Sequence, residues 1–120
     1  MSVSAQGKND SMKILVVCGA GASSAFVAHR VRHTAEARGL DVHVFAGSES
    51  DLPASLGPVD VLLVGPHLAP RFEKIRLQAV HAGVGIALLE ATVFASQNGD
   101  EALDAAIYAY KTRDWAETKK

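Results

Sequence analysis

Residues 13–24 read Lys-Ile-Leu-Val-Val-Cys-Gly-Ala-Gly-Ala-Ser-Ser, and this stretch decides the fold. After Lys13, the next four residues are isoleucine, leucine and two valines, and such an apolar run is typical of a strand buried on both faces. The glycines that follow end the strand, and over about residues 22–38 the apolar residues recur at helical spacing. The stretch therefore predicts a buried strand that passes through a loop of small residues into a helix.

The rest of the chain repeats this alternation. Strands are predicted at 41–46, 59–64 and 84–89, helices at about 70–83 and from 98 onward, and a short helical turn around Asp51. Apolar strands that alternate with helices favour right-handed crossovers and a parallel sheet covered on both faces. We therefore predict an α/β three-layer open sandwich. In such sheets ligands gather at the carboxyl ends of the strands, which here are the loops that begin at Cys18, Gly65 and Glu90.

Composition limits the functions that the chain can have. Its 120 residues suit one domain, which we place at 12–115 between polar tails at 1–11 and 116–120. The formal charge of −1 lacks the basic excess of a nucleic-acid-binding protein. One cysteine cannot form an intramolecular disulfide, and the first residues lack the apolar core of a secretory signal. No apolar run approaches the roughly 20 residues of a membrane span. We expect a cytoplasmic protein without direct membrane insertion.

The loop at 18–24 carries the candidate chemistry. Small residues between a strand and a helix let consecutive backbone N–H groups turn inward around an anion. A thiol at the first position would feel those donors and the helix dipole, which lower the pKa of a cysteine. We therefore predict that Cys18 is a nucleophile in a phosphate-binding loop. That loop consists of Gly19, Ala20, Gly21, Ala22, Ser23, Ser24 and Ala25. The alternative is an inert core cysteine in a non-catalytic binding or regulatory module.

Three known motifs share this layout. A dinucleotide site has a third glycine where this chain has Ser24 and an acidic residue after the second strand, so that signal is weak. A P-loop needs a lysine, and the loop has none. Low-molecular-weight tyrosine phosphatases have the pattern C-x5-R, in which the arginine clamps the phosphoryl group. Serine stands at that position here, which favours a protein that holds phosphate on sulfur over one that hydrolyses it. No cofactor is expected.

The chain resembles the IIB components of the bacterial phosphoenolpyruvate-dependent sugar phosphotransferase system, in the lactose/cellobiose (chitobiose) class. The loop of that family is similar to C-S-A-G-M-S-T-S, and its Gly-Pro-Gln turn after the third strand corresponds to Gly65-Pro-His67. Cysteine, second glycine and first serine match. The departures are Gly19 for serine, Ala22 for methionine, Ser24 for threonine, Ala25 for serine and His67 for glutamine. Ascorbate-type and galactitol-type IIB components share the cysteine loop, but Gly65-Pro66 favours the cellobiose class.

The resemblance implies a strand order of 2-1-3-4 and a monomer. It also implies that Cys18 accepts a phosphoryl group from a phosphohistidine of a IIA protein and passes it to a sugar bound by the membrane component IIC. His67 is a possible neighbour of the phosphoryl group. His29 and His33 lie one helical turn apart, but no further ligand is evident, so we predict no metal site.

Overall fold

The structure of the chain is a computed structural model that describes residues 12–18, 21–52, 54–95 and 99–118. For 21–23, 55, 94–95 and 113–118 it describes the backbone alone. In chain order the strands and α-helices are β1 Met12–Cys18, α1 Gly21–Ala37, β2 Val42–Ser48, β3 Val61–Val64, α2 Phe72–His81, β4 Gly85–Leu88, α3 Thr92–Ala95 and α4 Asp100–Thr118. Short 3-10 helices lie at Glu49–Asp51, Ala54–Leu56 and Pro66–Arg71.

Strand β1 lies inside the sheet, with a partner on each side. All strands are parallel, in the order β2-β1-β3-β4. In register, Leu15 of β1 is opposite Phe45 of β2 and Leu62 of β3. β1 is buried except for the half-buried Lys13, and β3 is buried throughout. These observations confirm the α/β open sandwich and the strand order 2-1-3-4.

The side chains of β1 alternate between two apolar clusters, one on each face of the sheet. Ile14, Val16 and Cys18 face helices α1 and α4, whereas Leu15 and Val17 face α2. The first cluster also holds the predicted helical stripe, Val27, Val31 and Ala35 of α1, together with Leu103 and Ala106 of α4. Because of this alternation, the Cys18 side chain points between the sheet and α1.

Some boundaries differ from the predicted ones. The helix expected from about residue 70 begins at Phe72, after the 3-10 helix Pro66–Arg71 that contains Pro70. Proline lacks the N–H and is tolerated only near a helix start, which delays the regular α-helix. Helix α3 was not predicted, whereas the helical turn around Asp51 is confirmed. The predicted tail 1–11 and residue Asn98, where the last helix was expected to begin, lie outside the described residues. Helix α4 begins at Asp100 and continues to Thr118.

The start of α4 packs directly on the backbone of α1. A Cβ atom added to Gly99 would lie 2.5 Å from the Arg30 carbonyl oxygen and 2.7 Å from the Val31 nitrogen. The Gly99 N–H donates to the buried Thr34 Oγ1 at 2.8 Å. Two charged contacts at the rim, from Arg38 to Asp100 and Asp104, accompany this packing but remain exposed to solvent. The fit between the two helices therefore depends mainly on the close approach at Gly99. Within the described residues, no helix has the length and apolar character needed to cross a membrane.

We predict that Thr34→Val lowers the free energy of unfolding by about 1–3 kcal/mol, because the buried Gly99 N–H loses its acceptor while the shape of the side chain is kept. Urea denaturation of the whole chain measures the change. Thr112→Val is the matched control, because Thr112 donates to the Tyr108 carbonyl oxygen at an exposed position. We expect the control to stay within about 0.5 kcal/mol of the wild type. Equal losses in the two variants would contradict the role given to the Gly99 contact.

Candidate functional site

Cys18 is the last residue of β1 and lies at the carboxyl edge of the sheet. Its register partner in β2 is Ser48, where that strand also ends. On the other side, the Gly65 N–H donates to the Val17 carbonyl oxygen at 2.8 Å, which holds the turn after β3 beside the end of β1. The sheet therefore brings Cys18 together with the ends of both flanking strands. This is the edge at which we expected a ligand to bind.

The Cys18 side chain is fully buried, with no exposed surface. Desolvation by this burial raises the pKa of the thiol. The sequence led us to expect the opposite direction, so that expectation is wrong for the resting thiol. The motif argument counted the helix N-terminus and the loop amides, whereas the apolar cluster between the sheet and α1 determines the direction. Burial therefore favours the protonated form of the resting Cys18 thiol.

Gly65 leaves no space between the turn after β3 and the cysteine. A Cβ atom on Gly65 would lie 2.6 Å from Cys18 Sγ, 3.1 Å from Cys18 Cβ and 3.3 Å from Cys18 Cα. The sequence did not predict this contact, although a Gly-Pro pair directly after a buried strand marks a turn where chains approach closely. Gly65 is thus the residue whose main chain covers one side of the sulfur.

The predicted phosphate-binding loop is only partly described. Gly19 and Ala20 lie outside the described residues, and Gly21, Ala22 and Ser23 are described by their helical backbone. Ser24 is fully buried, whereas Ala25 is exposed. Helix α1 begins at Gly21, three residues after Cys18. The first four N–H groups of an α-helix have no partner within the helix, and they carry the positive end of its dipole. Donors suited to an anion therefore begin close to Cys18 in the chain.

The histidines take different places. His67 is exposed in the 3-10 helix Pro66–Arg71, two residues after Gly65, so it lies at the same edge of the sheet as Cys18. His29 and His33 are exposed on α1. Throughout the described ranges, no three histidine, cysteine, aspartate or glutamate side chains come together in a group that could hold a metal ion.

One ion pair at this edge was not anticipated from the sequence. Arg71 Nε donates to both carboxylate oxygens of Glu49, at 2.9 Å and 2.8 Å. Glu49 follows the end of β2 and Arg71 ends the 3-10 helix after β3, so the pair joins the turns that follow the two neighbours of β1. Both side chains remain partly exposed, which limits the contribution of such a pair to about 1 kcal/mol. The pair changes the charge of this edge more than it changes stability, because Glu49 neutralises the guanidinium of Arg71.

We predict that iodoacetamide alkylates native Cys18 at least about tenfold more slowly than urea-unfolded Cys18 at pH 8, because a local opening that costs ~1.4 kcal/mol slows a reaction tenfold. Mass spectrometry of the single cysteine measures both rates. Equal alkylation rates in the native and unfolded chains would contradict this description of the thiol.

The raised pKa of Cys18 also makes the stability of the chain depend on pH. Above about pH 8.5 the unfolded thiol ionises first, so the free energy of unfolding falls as pH rises. Cys18→Ala removes the part of this pH dependence that comes from the thiol.

Comparison with known proteins agrees with this geometry. Residues 13–105 match the family described as "PTS system, Lactose/Cellobiose specific IIB subunit". Two Lactococcus lactis proteins are each 30% identical over 98 residues, covering 78% of this chain and 91% of the relative. One is the galactose-specific EIIB component of the PTS system in subsp. cremoris strain MG1363, and the other is the cellobiose-specific EIIB component in subsp. lactis strain IL1403.

Solved structures agree as well. The solution structure of the cellobiose-specific phosphotransferase IIB component from Borrelia burgdorferi has a TM-score of 0.70 and 26% identity, covering 86% of this chain and 94% of that one. The lactose-specific IIB domain from Streptococcus pneumoniae has a TM-score of 0.62, with coverage of 90% and 96%; at 18% identity it shows the fold alone. Because the family match extends from β1 into α4, the chain belongs to the lactose/cellobiose class of IIB components of the phosphotransferase system, as the loop and the Gly-Pro turn predicted.

Proposed function

We propose that Cys18 carries a phosphoryl group between a IIA protein and a sugar during uptake. The observation that supports this role most directly is the place of Cys18 at the end of β1, an inner strand of the sheet, three residues before the first residue of α1. It is also the single cysteine of the chain. Membership of the IIB family gives the chain a general role in sugar phosphotransfer, and the proposal assigns that role to one sulfur atom.

The transfer has two displacement steps at phosphorus. In the first, the Cys18 thiol gives its proton to water and the resulting thiolate attacks the phosphoryl group on a histidine of IIA; an S–P bond forms, the N–P bond breaks, and the released imidazole nitrogen keeps the electron pair. In the second, a hydroxyl oxygen of the sugar attacks the same phosphorus, the S–P bond breaks, and the thiolate leaves. The hydroxyl proton passes to a base or to water. Neither step changes an oxidation state.

Burial of the sulfur adds a requirement to the first step. A partner cannot reach a side chain that has no exposed surface, so Cys18 has to turn outward or its cover has to open when IIA docks. Once outside the apolar cluster, the thiol regains an ordinary pKa and lies near the first turn of α1. We propose that the backbone N–H groups of residues 19–24, with the hydroxyl of Ser23, bind the phosphoryl oxygens; Ser24 is fully buried, and Ala25 follows the first four helical positions. Oriented amides at a helix start stabilise such anions.

The same residues explain why a carrier is favoured over a phosphatase. In a C-x5-R phosphatase the arginine stabilises the charge that develops during attack by water. Ser24 takes that position here and is fully buried, so an arginine would have to enter the interior. Without this cation the phosphocysteine is less activated toward water. It therefore persists until a sugar hydroxyl is presented.

Partners and location follow from the proposed step. A cytoplasmic IIA protein supplies the phosphoryl group, and a membrane IIC protein binds the sugar. The chain would act as a monomer that reaches the membrane surface by contact with IIC. The Lactococcus lactis relatives are named as galactose-specific and cellobiose-specific. For this chain we propose that IIC selects the sugar, because the proposed transfer requires the cysteine loop to meet only the phosphoryl group and the reacting hydroxyl.

We predict that the chain takes up one phosphoryl group per molecule when incubated with phosphoenolpyruvate, the general phosphoryl carriers and a IIA protein of the same class. Cys18→Ala should lower this labelling at least about a hundredfold, because the nucleophile is absent. His29→Ala changes an exposed histidine of α1, serves as the control, and should stay labelled. Intact-protein mass spectrometry measures the uptake. An unlabelled wild type, or label that survives Cys18→Ala, would favour the non-catalytic alternative or another acceptor.

We also predict that an aryl phosphate is hydrolysed no faster by the wild type than by Cys18→Ala. The loss of one transition-state donor costs an enzyme about 10²–10³ in rate, which leaves any Cys18-dependent turnover near the background. A colorimetric assay of the released phenol measures the difference. Cys18-dependent turnover would support the phosphatase alternative instead of the carrier.

A further inference from the structure

The backbone at Gly65 does not itself require glycine. Its φ of −69° and ψ of 156° are ordinary extended values that any residue adopts. The space at this position is what excludes a side chain, because a Cβ atom would lie 2.6 Å from Cys18 Sγ. Atoms that are not bonded to each other do not approach so closely. Glycine is therefore needed at position 65 because of the cysteine, not because of the turn.

The turn that carries Gly65 is firmly held. The Gly65 N–H donates to the Val17 carbonyl oxygen at 2.8 Å, and the Leu68 N–H donates to the Gly65 carbonyl oxygen at 3.0 Å. Leu68 itself is 1% exposed within the apolar cluster on the α2 face, and Pro66 restricts the backbone of the preceding residue. Moving this turn would break contacts with β1 and with the core. The Cys18 sulfur, in contrast, moves by rotation about one side-chain bond.

We propose that Gly65 is a positioning residue for Cys18: because it has no side chain, the sulfur lies against the turn after β3 and remains buried until a phosphoryl donor docks. The role rests on the proposed function, since it takes Cys18 as the phosphoryl acceptor. A phosphoryl group is larger than the sulfur, and the buried position has no exposed surface that could admit it. The contact with Gly65 thus belongs to the resting thiol, and phosphorylation requires the sulfur to leave it.

The substitution Gly65→Ala tests this role. Rotation of the Cys18 side chain relieves the 2.6 Å contact, and the remaining contacts of 3.1 Å and 3.3 Å need shifts of only a few tenths of an ångström. We therefore expect the added methyl group to drive the sulfur outward. Native alkylation of Cys18 by iodoacetamide at pH 8 should become at least about tenfold faster than in the wild type, because the thiol no longer needs a local opening.

Two other glycines provide matched controls. Gly99→Ala introduces an equally close contact, 2.5 Å from the Arg30 carbonyl oxygen, but on the backbone of α1 and away from Cys18. Gly57→Ala adds a methyl group that meets nothing within 4 Å. We expect wild-type alkylation in Gly57→Ala. In Gly99→Ala we expect only the increase that its lower stability produces, which urea denaturation of the same sample measures.

Each outcome decides for or against the role. If alkylation of Gly65→Ala equals that of the wild type, or rises only as much as in Gly99→Ala at matched stability, the proposal is overturned. If Gly65→Ala does not fold, the double variant Cys18→Ala/Gly65→Ala decides, since it removes the sulfur that the new methyl group would strike. A folded double variant supports the proposal and an unfolded one overturns it. Alkylation needs no phosphoryl donor. A failure to phosphorylate Cys18 would therefore contradict the proposed function without affecting the interpretation of the alkylation rates.

Discussion

Strand β1 has a hydrogen-bonded partner on each side, and this pairing determines the surroundings of Cys18. Because the strands are parallel and in register, β1 ends beside Ser48 of β2 and beside the turn that begins at Gly65. Helices on both faces then bury the strand to its last residue. The cysteine is thereby placed at the carboxyl edge of the sheet, where ligands bind in folds of this kind, on a side chain that points into the core. Both properties come from the same pairing and cannot be separated within this fold.

Burial gives the thiol a resting state that differs from the state that its proposed role requires. Inside the apolar cluster its pKa is raised, which keeps it protonated and a poor nucleophile. A thiolate is also the form that reacts with oxidants and electrophiles, so burial protects the sulfur while no partner is bound. In the proposed function, the first turn of α1 provides the donors that stabilise a phosphoryl dianion once the sulfur lies outside the cluster. The change between the two states involves one small side chain, because β1 and the turn at Gly65 are fixed by main-chain hydrogen bonds.

Much of this arrangement was predictable from sequence, and the rest was not for identifiable reasons. An apolar run at residues 13–17 followed by glycines predicts a buried strand that ends at Cys18, because both signals are local. The strand order came from the resemblance to IIB components. The contact between Gly65 and Cys18 joins residues 47 positions apart, and its closeness depends on the packing of β3 against β1. The direction of the Cys18 pKa was wrong because a motif shows the donors of its own loop and not the apolar side chains that α1 and α4 bring over the sulfur. The ion pair between Arg71 and Glu49 was missed because neither residue belongs to a motif.

The features of the site share one effect, which is that positive charge is kept from the sulfur. Ser24 stands where a phosphatase has its arginine, and the guanidinium of Arg71 at the same edge is bound to Glu49. A fixed cation beside Cys18 would lower the free energy of a phosphocysteine, and each 1.4 kcal/mol gained would cost about tenfold in the equilibrium of onward transfer. It would also favour attack by water, because the same charge stabilises the transition state of hydrolysis. The proposed amide donors would hold a phosphoryl group more weakly than a guanidinium does, since they are dipoles and not full charges. A protein that must receive a phosphoryl group and then release it is better served by such weak binding than by a clamp.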